Sequence, residues 1–177
     1  MLKKVALVLG AVIVIFLGVV ARQPADFRIE RSIAIAAPPA DVFAQVNDFH
    51  NWAAWSPWEK LDPAMKKTFS GTPTGVGSVY EWTGNDQVGT GRMTLTDSQP
   101  NDLIRIKLEF IKPFEATNTT EFNLKPDGGE TKVIWSMAGN NNFMAKAAGL
   151  FMNMEKMVGG DFEKGLAQLK STVEAKK

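Results

Sequence analysis

Apolar and polar positions alternate with a period of two through most of the chain between Phe27 and Ala138, then shift to a period near 3.6 from Phe143 onward. The first alternating stretch sets Phe27, Ile29, Ile33 and Ile35 against Arg28, Glu30, Ser32 and Ala34, the pattern of a strand with one covered face. Arg31 interrupts the apolar set, and reads either as a strand end or bulge reaching solvent or as a charge directed into a cavity. Ala37-Pro38-Pro39 ends the strand, and Pro39 to Val46 reads as a short helix opened by proline, burying Val42, Phe43 and Val46.

Further alternating runs follow, separated by turn residues. Lys66 to Ser70 precedes the glycine-rich turn Gly71 to Gly77, Ser78 to Thr83 ends at Gly84-Asn85-Asp86, and Gly91 to Thr96 ends at Ser98 to Asn101. Ile104 to Phe110, Thr120 to Leu124 and Thr131 to Ala138 complete the set. Short strands joined by tight turns predict an antiparallel sheet of seven strands. The helical period then places Phe143, Ala147, Leu150, Phe151, Met154 and Met157 on one side, and Phe162, Leu166, Leu169 and Val173 resume the stripe before the polar tail Glu174 to Lys177. Gly159-Gly160 predicts a kink or break in this helix, since each glycine costs about 1 kcal/mol against alanine.

Ahead of the first strand, Val5 to Ala21 is a run of 17 residues without a charge, bounded by Lys3-Lys4 and Arg22. At the α-helical rise it spans about 25 Å, so a single crossing is feasible with lysine stems snorkelling. A membrane anchor and a cleaved signal peptide, cut after Val19-Val20-Ala21, are the two readings, and the run exceeds the usual length of a signal h-region. Lys3, Lys4 and the terminal amine are balanced by Arg22, Arg28 and Arg31 beyond the run, and the short basic n-region, which resembles that of a signal anchor, predicts a single-pass anchor with the remaining domain on the extracytoplasmic side. The organisation is thus residues 1–22 as anchor or signal segment, 23–26 as a short linker and 27–177 as one domain, held against the membrane surface.

Charge and composition then exclude function classes. Without Lys3, Lys4 and Arg22, 17 basic residues face 19 acidic ones, a charge near −2 that offers no footprint for nucleic acid. One histidine and no cysteine leave zinc and haem without ligand sets, and no cofactor or metal is expected. His50 has no Gly-x-Ser-x-Gly partner motif, and the glycine turns precede no helix that would cradle phosphate. Arg31, Asp97, Asn118 and Glu81 are the polar groups that strand register brings near an interior, and they form no recognisable catalytic set.

Three of the five tryptophans, Trp52, Trp55 and Trp58, fall in the proline-bounded connection Asn51 to Pro63, which suggests the rim of an apolar cavity. Together with Ile33 to Phe43, Pro57, Gly89-Thr90-Gly91, Trp135 to Gly139 and Asp161 to Leu166, in that order, this wording resembles the polyketide-cyclase and lipid-transport branch of the START-like, or SRPBCC, superfamily, over about residues 27 to 174. The resemblance implies an α+β helix-grip fold, a curved seven-stranded antiparallel sheet around a long C-terminal helix, with an apolar cavity between them. On that model Trp52 and Trp55 stand at the mouth, Trp82, Met93, Phe110, Phe122 and Trp135 line the sheet, and Met144, Phe151 and Met154 line the helix. It implies binding of a lipid or other hydrophobic small molecule, for sequestration or transport, a reading that a filled core with no pocket of at least about 300 Å³ would make untenable. A cyclase or dehydratase using the same cavity, and an envelope interaction module docking through its tryptophans, are the alternatives. The enzyme would need an acid or base converging in the pocket.

Overall fold

Seven strands and four helices appear in a computed structural model that describes residues 1–175; Lys176 and Lys177 of the polar tail lie outside the described residues. After helix α1 (Leu2–Arg22) come β1 (Asp26–Ile35), α2 (Pro39–Val46), two 3-10 turns (Phe49–Ala54 and Pro57–Lys60), β2 (Lys66–Gly71), β3 (Ser78–Thr83), β4 (Thr90–Gln99), β5 (Leu103–Lys112), β6 (Ala116–Asp127), β7 (Glu130–Asn140), α3 (Phe143–Gly149) and α4 (Met154–Glu174). The strands form one antiparallel sheet in the order β1-β7-β6-β5-β4-β3-β2, so that β2 to β7 meander and β1 closes the far edge on β7. Register shifts in β4, at Thr90/Gly91 and Leu95/Asp97, add the bends that help a sheet curve. This is the helix-grip arrangement: α4 lies across the sheet, burying Phe162, Leu166, Leu169 and Val173 against residues such as Ile35 and Val133.

The tryptophan segment is wound into the two 3-10 turns rather than left as an open loop. Its indoles act on α2: Trp52 Nε1 donates to the Val46 carbonyl at 3.0 Å and Trp55 Nε1 to the Gln45 carbonyl at 3.3 Å. These carbonyls belong to the last turn of α2, where no intrahelical donor is available, so the rings terminate the helix while filling the core. Trp52 and Trp55 are buried, at 3% and 0% exposure, which removes them from any surface a protein partner would touch.

Two expectations about the C-terminal helix are corrected. The stripe from Phe143 is not one helix kinked at Gly159-Gly160; the chain breaks earlier, between Gly149 and Met154, and α4 runs unbroken through both glycines. Each helix has its own asparagine start: Asn142 Oδ1 accepts from Ala145 N and Asn153 Oδ1 from Lys156 N, both at 2.9 Å. Gly159 is retained for close approach. A Cβ there would stand 2.1 Å from Arg31 Nη2, whose guanidinium crosses the helix at this point. Arg31 is mid-strand in β1, facing α4, and binds Glu163 through Nε at 2.6 Å and Glu155 through Nη2 at 2.7 Å. It is thus neither a solvent-seeking strand end nor a charge in a cavity, but a clamp between strand and helix.

Helix α1 is apolar and long enough to cross a membrane, as an anchor or a signal sequence would be. Among its described side chains only Val20 is buried, and Phe16 packs against Phe151 with ring centroids 6.5 Å apart.

Candidate functional site

Where the tryptophan segment, the sheet and the first half of α4 meet, they enclose a cavity of about 190 Å³. The strands β3 to β7 contribute inward side chains at their period of two: Trp82 from β3, Met93 from β4, Phe110 from β5, Thr120 from β6 and Trp135 from β7. Trp52 closes one side, and Val158 and Phe162 of α4 close another. Phe162 stacks on Trp135 almost in parallel, with centroids 4.1 Å apart and planes 6° apart. Trp135 is in turn stacked on Phe122 at 4.8 Å and met edge-on by Trp55 at 5.7 Å.

Local sequence explains why Trp82 lies flat on the wall. Across the ladder it faces Gly91, where a Cβ would sit 2.4 Å from Cζ2 and Cη2 of the indole, so only glycine leaves room for the ring. Its Nε1 donates to the Val88 carbonyl at 2.9 Å and ties down the β3–β4 connection. The Gly89-Thr90-Gly91 motif is therefore part of the site's construction.

Of the ten side chains that the sequence nominated, the structure brings Trp52, Trp82, Met93, Phe110 and Trp135 together around the cavity. Trp55 and Phe122 are fully buried behind that wall and support it, without bordering the space. Met144, Phe151 and Met154 are 66%, 80% and 48% exposed and lie away from it, because α3 turns towards α1 and only from Val158 does α4 reach the cavity. Trp58, Tyr80 and Phe162 border the space without having been nominated. Tyr80 shares the inward register of Trp82, and that signal was available in Ser78 to Thr83.

Two carboxylates border the cavity, Asp161, paired with Lys164 at 3.0 Å, and Glu59. Glu59 accepts from the Tyr80 hydroxyl at 2.9 Å on one oxygen and from Lys67 Nζ at 2.5 Å on the other. Both carboxylate oxygens are thereby engaged in bracing β2 and β3 to the tryptophan segment. The polar residues suggested by register are elsewhere: Asp97 pairs with Arg105 at 3.1 Å, Asn118 lies buried with Nδ2 3.8 Å from the Met137 sulfur, and Glu81 alternates away from the inward Tyr80 and Trp82. The indole nitrogen of Trp135 is buried and unpaired, with less than 1 Å² of accessible surface, so it offers no handle inside the cavity.

A family model described as polyketide cyclase / dehydrase and lipid transport matches residues 26–174. The chain belongs to this family. Solved structures show the same fold at low identity. A Mesorhizobium loti protein aligns with a TM-score of 0.63 at 14% identity, covering 85% of this chain and 99% of its own. A Thermobifida fusca structure gives 0.61 at 22%, covering 82% and 92%, and the Aha1 dimer of Colwellia psychrerythraea 0.61 at 17%, covering 84% and 96%. No curated protein matches the chain.

Within this polyketide-cyclase and lipid-transport member, the cavity is smaller than the roughly 300 Å³ expected for a whole lipid or a drug-sized ligand. An apolar space of about 150 Å³ holds one benzene-sized ring, so the site as it stands accommodates a single ring or a short branched chain end. Membership and the apolar lining together support a module that binds hydrophobic ligands.

Tyr80 is the single tyrosine of the chain, which makes its state readable. Burial first, and then the charge and hydrogen bond of Glu59, push its phenol well above the ordinary value. The neutral phenol is favoured by folding, so its contribution to stability is complete below about pH 10 and is lost as pH rises above that towards the folded value. Absorbance at 295 nm should show no phenolate in the folded chain up to roughly pH 11, and its appearance should coincide with alkaline unfolding. A phenolate step near pH 10 with the fold intact would mean that Tyr80 faces water.

Proposed function

We propose that this protein is a membrane-tethered module that holds the ring or branched-chain end of a hydrophobic small molecule, sequestering or passing it on at the extracytoplasmic surface. The observation that carries this reading is the cavity between sheet and α4, walled by Trp52, Trp82, Phe110 and Trp135. The apolar α1 helix and the short connection to β1 supply the tether. A cyclase or dehydratase would need an acid or base free to act on a ligand; of the two carboxylates that line the cavity, Glu59 is committed to Tyr80 and Lys67, and Asp161 is paired with Lys164.

The test fills the space. Met93 is 8% exposed and borders the cavity, so Met93→Trp should place its larger ring in the void. Full-length protein and variant would be titrated with single-ring alkylbenzenes, following tryptophan fluorescence, and native mass spectrometry would identify molecules carried from the cell. Binding should weaken at least roughly tenfold, while thermal stability changes little because a void is being filled rather than a packed core strained. Equal binding by both proteins would place the ligand elsewhere; absence of binding to the wild type would remove the proposal.

A further inference from the structure

The segment joining β7 to the cavity-lining part of α4 leaves its large apolar side chains uncovered. Phe143 is 46% exposed, Met144 66%, Phe151 80%, Met152 45%, Met154 48% and Met157 52%. Among the described residues, no other stretch of the folded domain places so many large apolar side chains in water within fifteen residues, and such a patch on a soluble surface marks a docking face. What covers it is indicated by α1. Phe16 packs against Phe151 at 6.5 Å, so the patch is continuous with the apolar surface of the spanning helix.

The geometry sets a depth. Phe16 precedes Arg22 by six residues, about 9 Å along a helix. With Arg22 at the water boundary, Phe151 at the level of Phe16 is carried to the depth of about 5–10 Å reached by interfacial amphipathic helices. Lys146 and Lys156, on the same segment, have stems long enough to return their charges to the headgroups. We infer that α3 and the turn into α4 are seated in the lipid leaflet beside α1, so that the domain docks on the bilayer through a second, built-in contact rather than hanging from its anchor. This rests on α1 being a retained membrane anchor. Methionines suit the role, since flexible thioethers adapt to disordered acyl chains as they do to varied apolar partners. The docked segment also leads directly into Val158 and Phe162, which wall the cavity, so a ligand leaving the leaflet meets the site within about two helical turns.

The chain contains no cysteine, so single introduced thiols report on single positions. Full-length protein would be reconstituted in phosphatidylcholine–phosphatidylglycerol liposomes, with a nitrobenzoxadiazole label at Phe151→Cys or Met144→Cys. Val12→Cys in α1 and Val76→Cys in the β2–β3 connection are the references, at native side chains that are 56% and 54% exposed. Labels at 151 and 144 should be quenched by doxyl-lipid and be roughly fivefold less quenched by aqueous iodide than the label at 76. Iodide quenching at 151 and 144 equal to that at 76, with the label at 12 still quenched by lipid, would overturn the docking inference and leave the anchor standing. A label at 12 that lipid does not quench would remove the anchor and the inference with it. Protection at 151 and 144 from both quenchers would assign the face to a second copy or another protein, and would equally overturn it.

Discussion

Phe162→Ala is expected to cost the domain about 3–5 kcal/mol while enlarging the ligand cavity. Phe162 is 2% exposed, lies face to face with Trp135 and meets Trp58 edge-on at 6.4 Å, so its ring is where α4 grips the sheet. Removing it forfeits the burial of the ring, the aromatic stacking and the packing of a surface that cannot collapse around two tryptophans. Urea unfolding of the detergent-solubilised full chain, followed by tryptophan fluorescence, would measure the loss. Because the new void opens onto the existing one, the variant should accept larger apolar compounds than the wild type. A ligand at a hundred times its Kd should return about 2.7 kcal/mol. A loss below about 1 kcal/mol would contradict the tight helix-to-sheet packing seen at this point.

Gly91→Val is expected to damage the site from the opposite direction. The added Cβ would meet the Trp82 indole at 2.4 Å and the backbone oxygen of Glu109 at 2.6 Å. The indole can move only by leaving the cavity wall and releasing its hydrogen bond to Val88, while the backbone oxygen belongs to a paired strand and cannot yield cheaply. About 3 kcal/mol of destabilisation is expected from overpacking. A loss of binding of at least roughly tenfold should accompany it, as the flat aromatic wall is disrupted. Equilibrium unfolding and the alkylbenzene titration would be read on the same preparation. Unchanged binding in a folded variant would mean that Trp82 takes no part in holding the ligand.

The two substitutions touch features with different visibility in the sequence. Gly89-Thr90-Gly91 stands out as a motif, yet its reason, the indole lying over Gly91, belongs to a cross-strand pair, Trp82 and Gly91, nine positions apart in the chain and opposite each other in the ladder. Phe162 is visible only as one member of a helical stripe, indistinguishable from Leu166 or Leu169 until the sheet places Trp135 against it. The same ambiguity misplaces Met144, Phe151 and Met154: periodicity reports that a helix has an apolar side, but lipid, ligand and core satisfy that pattern equally. The two helices each start at an asparagine, Asn142 and Asn153, and the continuous apolar stripe across both hides the break between them. Gly159 misled for a related reason. It has the composition of a breaker and the function of a groove for Arg31, a residue 128 positions away in the chain.

By itself the sequence determined the order of elements, the antiparallel sheet, the short proline-opened helix after β1 and the family, because a period of two, a period of 3.6 and turn residues are properties of neighbouring positions. It also determined which inward strand residues would be aromatic. Tertiary structure alone decided which of these border empty space and which are packed behind it, placing Trp135 on the wall and Trp55 and Phe122 beneath it. It decided too that the space is about 190 Å³, and that the apolar side of α3 turns to α1 instead of to the sheet. The reason is physical: burial free energy depends on area removed from water and is indifferent to what covers it, so the pattern specifies that a side chain is hidden but not the neighbour that hides it.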